Sequence, residues 1–199
     1  MGKKFVGKPA LAVGAFAKDV QSRESVSGDT KYKASISEFR RGFSKPLEEN
    51  ITMFSTVSEL LARQKWSSPK GSYVTPEEEA VAAALSLFSR HYGTKVSYPH
   101  KEDVGFGIAA ARIQHSAGRD FVVEKLEAIW KANSLEGYKQ HLKGIIDFAV
   151  APNSAFDYEI FTQDLINLSR PEKKDAVLIK WIRQFHNEAY SLKTKKEQD

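Results

Sequence analysis

Side chains able to act as nucleophile, acid, base or metal ligand are few here, and their spacing is unhelpful. The chain has no cysteine, which removes disulfides, thiolate metal sites and a cysteine nucleophile together and suits a reducing compartment. His91, His100, His115, His141 and His186 are scattered. None lies four residues from another, the spacing that puts two ligands on one helical face, so no metal is expected. Glu77, Glu78 and Glu79 follow Thr75-Pro76, and acids in a first helical turn favour the positive end of the helix dipole, so they are assigned a structural role. Gly105-Phe106-Gly107 is similar to part of a phosphate loop, but no Lys-Ser pair follows and no strand pattern precedes it. Gly-x-Ser-x-Gly is absent. With no converging acid, base and nucleophile, neither an enzyme nor a cofactor is expected.

Cations are the better lead. Lys139 and Lys143 are four apart, and Arg112, Arg119, Lys125 and Lys131 fall in neighbouring helices and a turn. Such a set could line a groove for phosphates, although Asp120, Glu124, Glu127 and Glu136 dilute it. Arg40 and Arg41 follow Phe39 on a helix whose apolar face is taken, which turns at least one guanidinium outward; a surface ion pair with Glu38 or Glu48 is the plainer assignment. Trp66, Trp130 and Trp181 could stack on bases, but Trp130 and Trp181 fall in phase with apolar stripes and are placed in the core. Across the chain, 30 basic residues against 25 acidic ones give a net charge of +5 and a pI near 9.2. That balance permits a polyanionic partner without requiring one, so a binding surface must come from segregating charge on one face.

The elements that would carry these residues are helical. With 199 residues and 41% apolar content the chain can bury a core without staples. One helix is expected around residues 10–20, then a polar mobile loop over 21–29. Apolar residues recur at helical spacing from Ile36 to Phe43 and, after a break at Ser44-Lys45-Pro46, from Leu47 to Leu61. Thr75-Pro76-Glu77-Glu78 reads as a capping box with proline in the first turn, and Gly93 as a left-handed helix end. Residues 94–103 read as a loop. Further helices carry Val104 to Gln114, closed by Gly118; Val123 to Trp130, capped by Asp120; Leu135 to Ala149, capped by Ser134; Tyr158 to Leu168; and Val177 to Phe185. Residues 193–199 read as a frayed tail. No stretch alternates as a strand does, so the fold class is all-α, a helical bundle of about eight or nine helices. The basic N-terminus lacks a cleavage pattern, and no uncharged apolar run reaches the ~18 residues of a membrane span. A cytoplasmic protein with no membrane partner is expected.

Three segments in order carry a resemblance: Glu38-Phe39-Arg40-Arg41, Gly107-Ile108-Ala109-Ala110-Ala111-Arg112-Ile113, and Asp157-Tyr158-Glu159-Ile160-Phe161-Thr162-Gln163-Asp164-Leu165. Together with the alanine-rich stretch from Ala80 to His91, Trp130-Lys131-Ala132-Asn133, the basic helix from Lys139 to Ile146 and the Trp181-x-x-x-Phe185 close, the chain resembles the CasB-type small subunit (Cse2 family) of the type I-E CRISPR Cascade surveillance complex over residues 34–190. The resemblance implies a non-catalytic subunit, present as two copies packed head to tail against the backbone and large subunits. It implies an N-terminal helical lobe over residues 1–97, with 1–33 partly flexible, and a C-terminal lobe over 98–199. Its partners would be crRNA and target DNA, with the displaced strand crossing a basic surface. By this reading Arg40, Arg41, Lys101, Arg112, Arg119, Lys125, Lys131, Lys139 and Lys143 would contact nucleic acid. A helical protein-protein interaction adaptor, with solvated cations, is the rival reading; the two part on whether nucleic-acid binding weakens with salt and with charge removal at Lys131 and Arg112.

Overall fold

Thr75 begins the helix around which the others assemble. Its hydroxyl accepts the Glu78 N–H, while the Glu78 carboxylate accepts the Thr75 N–H at 2.8 Å and the Ser68 hydroxyl at 2.5 Å, the reciprocal arrangement read from the sequence. The resulting helix, Pro76–Tyr92, is buried continuously from Ala80 to Ser89. Four alanines and two serines in that run keep it thin enough for neighbours on all sides.

The computed structural model describes residues 6–24, 30–68, 71, 73–93, 98–150 and 152–196. Among them nine α-helices run in order: α1 (Lys8–Glu24), α2 (Thr30–Arg41), α3 (Ile51–Arg63), α4 (Pro76–Tyr92), α5 (Phe106–Ala117), α6 (Val122–Lys131), α7 (Leu135–Ile146), α8 (Tyr158–Leu168) and α9 (Pro171–Lys196), with short 3-10 turns at Gly42–Ser44, Leu47–Glu49 and Pro152–Ser154. The fold is all-α. A lone parallel bridge joins His100 to Phe156. Helices α1, α2, α3, α7 and α8 pack on α4, α1 also lies along α8, and α5 and α6 pack along α9. One apolar cluster runs from Val13 and Phe39 through Leu85 and Phe106 to Trp181 and Phe185, so helices from both sides of residue 97 share it. The proposed boundary itself falls next to residues 94–97, outside the described residues.

Gly107 matters most to the α5–α9 contact. A Cβ there would meet the Trp181 carbonyl oxygen at well under 3.0 Å, so the absence of a side chain is what lets the two backbones approach.

Several local expectations are corrected. The helix expected from Leu47 is first a 3-10 turn, and α3 starts only after Asn50, whose side chain accepts the Met53 N–H. Gly93 is right-handed, at φ −82°; the last turn of α4 closes by its own backbone bonds, and the Arg40 guanidinium lies against Gly93. Gly118 does take the left-handed conformation, at φ 66°. Asp120 does not cap α6. Gln114 from the end of α5 accepts the N–H groups of Phe121 and Val122, and Asp120 accepts the Gln114 side-chain amide instead. Residues 21–24 belong to α1 rather than to a loop; residues 25–29 lie outside the described ones. The tail expected to fray is helical to Lys196, because Ala189 and Leu192 continue the stripe that packs toward α5.

Candidate nucleic-acid interface

The nine predicted contact residues divide by what their charged ends meet. Arg40 donates from Nε and Nη2 to the Ser89 carbonyl at 3.2 and 2.8 Å. It ties α2 across the C-terminal end of α4, where free carbonyls attract a cation. Arg112 is half-buried on α5 and donates from Nε to Glu188 on α9 at 2.7 Å. Lys139 is buried, with its ammonium 2.5 Å from Glu136 and 4.9 Å above the Phe43 ring. Lys143 pairs with Asp147 at 2.6 Å, on a carboxylate that also takes the Arg90 guanidinium at 2.9 Å. Lys131 pairs with Glu127 one turn back, at 2.6 Å, with both side chains largely in water.

Arg41, Lys101, Arg119 and Lys125 meet no carboxylate among the described residues. Arg41 is exposed at the end of α2, and Lys101 is exposed in the loop before α5, where its backbone N–H donates to Phe156. Lys125 lays its alkyl stem over Gly144 of α7. Arg119 is exposed just past Gly118, and its guanidinium sits 4.3 Å from the centre of the Phe148 ring and 5.5 Å from that of Phe121. Held by rings rather than by an acid, it keeps its hydrogen-bond donors for a ligand.

Arg119 also lines a groove of about 320 Å³ between the end of α5 and the last turns of α9, together with His115, Gln114 and Lys193. Both His115 and Lys193 are exposed. Asp120 is the groove's carboxylate, and it is already bonded to Gln114. Lys139 lines a different cleft, of about 240 Å³, whose walls include Glu79 and Glu136. Burial, then the nearby Glu48, pushes the Glu79 carboxyl above its ordinary range, an environment unsuited to a phosphate. The structure thus brings Arg119 together with His115 and Lys193, and leaves most of the other predicted cations on structural partners. The signal that could have found His115 is its place one turn after Arg112 on α5. Lys193 falls in the stretch that reads as a tail, where no packing signal marks it.

Trp130 corrects another assignment. It is 41% exposed, and beside it on α6 Val123 is 50% exposed. Both line a cleft of about 220 Å³ whose other wall is Ile182, Phe185 and His186 of α9. Trp181 is fully buried, as the apolar period predicts.

The described residues thus form an all-helical fold with an open groove that carries Arg119, His115 and Lys193. The sequence matches, over residues 35–186, the family described as CRISPR-associated protein Cse2. The chain belongs to that family. Its fold is similar to the crystal structure of CasB from Thermobifida fusca, with a TM-score of 0.71 and 18% identity over 92% of this chain and 99% of that one. It is also similar to a CRISPR-associated protein of the Cse2 family from Thermus thermophilus, with a TM-score of 0.63 and 19% identity over 90% and 98%. Comparison with curated protein sequences gives no match.

Proposed function

We propose that this protein is a non-catalytic small subunit of a type I-E Cascade, an RNA-guided DNA surveillance complex of the cytoplasm, and that it steadies the assembly and the opened target by sequence-independent contacts to phosphates. The observation that carries the reading is the groove between α5 and α9, where Arg119 and Lys193 are exposed and meet no carboxylate partner among the described residues. Family membership supports the CRISPR setting. Exchanging a DNA duplex for an RNA–DNA heteroduplex is nearly balanced in free energy, so a few cationic contacts to the displaced strand are enough to tip it. Backbone and large subunits, crRNA, a second copy packed head to tail, and the two-lobed division near residue 97 belong to the same proposal.

The test is binding of the purified protein to single-stranded and duplex DNA across a salt series. Weak affinity that falls with salt is expected, with a logarithmic slope shallower by about 0.7 per lost contact to a single strand in Arg119→Ala or Lys193→Ala. Arg112→Ala should act mainly on stability, since its guanidinium is held by Glu188. A flat salt response in the wild type overturns the proposal and leaves a protein-protein adaptor.

A further inference from the structure

Two clefts follow one stripe of α9. Residues Ile182, Phe185 and His186 wall the apolar cleft, and Ala189, Leu192 and Lys193, one and two turns further on, wall the cationic groove. The opposite walls are neighbours in sequence as well: Val123 and Trp130 on α6 line the apolar cleft, and Asp120 and Arg119, just before that helix, line the cationic groove. From His186 to Lys193 a helix advances roughly 10 Å, about the axial length of three stacked nucleotides.

The apolar cleft has the composition of a stacking platform. Trp130 presents an exposed indole opposite the exposed imidazole of His186, with aliphatic Val123 and Ile182 beside them. Its carboxylate, Glu127, is occupied by Lys131 at 2.6 Å. Arg183, next to Ile182, is exposed without a carboxylate partner among the described residues. Aromatic faces interleaved with cations bind a single strand by stacking its bases while its phosphates meet the charges, and every base has a face to stack.

We infer that the α6–α9 cleft is a base-binding slot for single-stranded DNA, in which Trp130 stacks on a base while Arg119 and Lys193 hold phosphates further along the same strand. Charge complementarity selects this occupant: an apolar slot followed along α9 by a cationic groove suits a ligand that alternates planar apolar rings with anions. The inference rests on the proposed nucleic-acid role and adds to it a defined contact to bases.

The test compares an oligothymidylate of about 12 nucleotides with an abasic strand of equal length, which has the same phosphates and no bases. At low salt the full chain should bind the thymidylate on the order of tenfold more tightly, and only that strand should quench tryptophan fluorescence. Trp130→Ala should lower thymidylate binding to the abasic level and leave abasic binding unchanged. Trp130→Phe should keep most of the preference and lose the quenching, which locates the base at this ring; circular dichroism and melting of both variants check the fold. If Trp130→Ala binds thymidylate as the wild type does, the slot is wrong while the phosphate reading stands. Failure of the wild type to bind either strand overturns both. A loss of self-association in Trp130→Ala with the base preference intact overturns the slot in favour of a second copy, and tighter binding of an oligouridylate of the same length overturns the assignment to DNA.

Discussion

Trp181 on α9 and Trp130 on α6 have opposite environments. The Trp181 indole N–H donates to Asp164 Oδ2 at 2.7 Å, and its ring packs 4.8 Å from Phe106 and 5.9 Å from Phe161, with no exposure. Trp130, on the outer edge of α6, is 41% exposed and has no indole acceptor among the described residues. The difference shows what burying a tryptophan requires beyond apolar spacing: an acceptor carried in by another helix, here α8. Where the sequence supplies one, the ring completes the core; where it does not, the ring stays at the surface and is free to meet something else.

The surroundings of the buried ring are the easier to break. Gly107→Ala should cost roughly 3 kcal/mol or more, because the added methyl meets the Trp181 backbone rather than a side chain that can turn away. Urea denaturation measures it, and a loss below about 1 kcal/mol would mean that α5 and α9 are not in backbone contact. Asp164→Ala comes next, at about 2–4 kcal/mol, since it strands the Trp181 N–H in an apolar surround. Lys180, a further partner of the carboxylate, is 39% exposed and can turn to water. Asp164→Asn keeps an acceptor and should lose less.

Acid should loosen the same region. His91 is fully buried, its Nδ1 3.1 Å from the Tyr158 hydroxyl and its ring stacked on Phe156. Burial lowers its pKa from 6.5 to about 3, so between those values the unfolded chain binds a proton that the folded chain refuses. Stability is therefore full above pH 6.5 and falls as the pH drops, by about 2 kcal/mol from pH 7 to pH 5 for this group. Burial also lowers the pKa of His100, which adds in the same direction. Denaturant titrations at the two pH values, with His91→Gln as the variant whose slope should flatten, check the assignment.

Most of the fold was legible because local signals agreed with packing. The capping box at Thr75, the helix end at Gly118, the Ser134 cap and the apolar periods of α4, α7 and α8 need only nearby residues. Long-range partners were not legible. Nothing near Arg40 announces the Ser89 carbonyl 49 residues on, and nothing near Arg112 announces Glu188. Gln114 takes the place of Asp120 as the cap of α6 although it is only seven and eight residues from the N–H groups it accepts, because the end of the preceding helix turns it onto them. Spacing placed cations on helices correctly, but it could not tell a cation held by an acid from one held by a ring.

Lys131 sharpens the contrast by doing least. It pairs with Glu127 at 2.6 Å, but its side chain is 73% exposed and that of Glu127 is 61% exposed. Water competes for both charges there, and holding two long side chains in one geometry costs entropy of the same order as the attraction gained. Hydrogen bonding to Lys131 and its charge draw the Glu127 carboxyl below its ordinary range, yet removing the lysine leaves a carboxylate that is simply hydrated. Lys131→Ala should therefore leave the denaturation midpoint where it was. In single-strand binding it should change affinity less than Arg119→Ala, because a phosphate must compete with Glu127 for the lysine but finds no acid on Arg119. An equal loss in the two variants would show that a ring-held arginine is no more available to phosphate than a lysine in a surface ion pair.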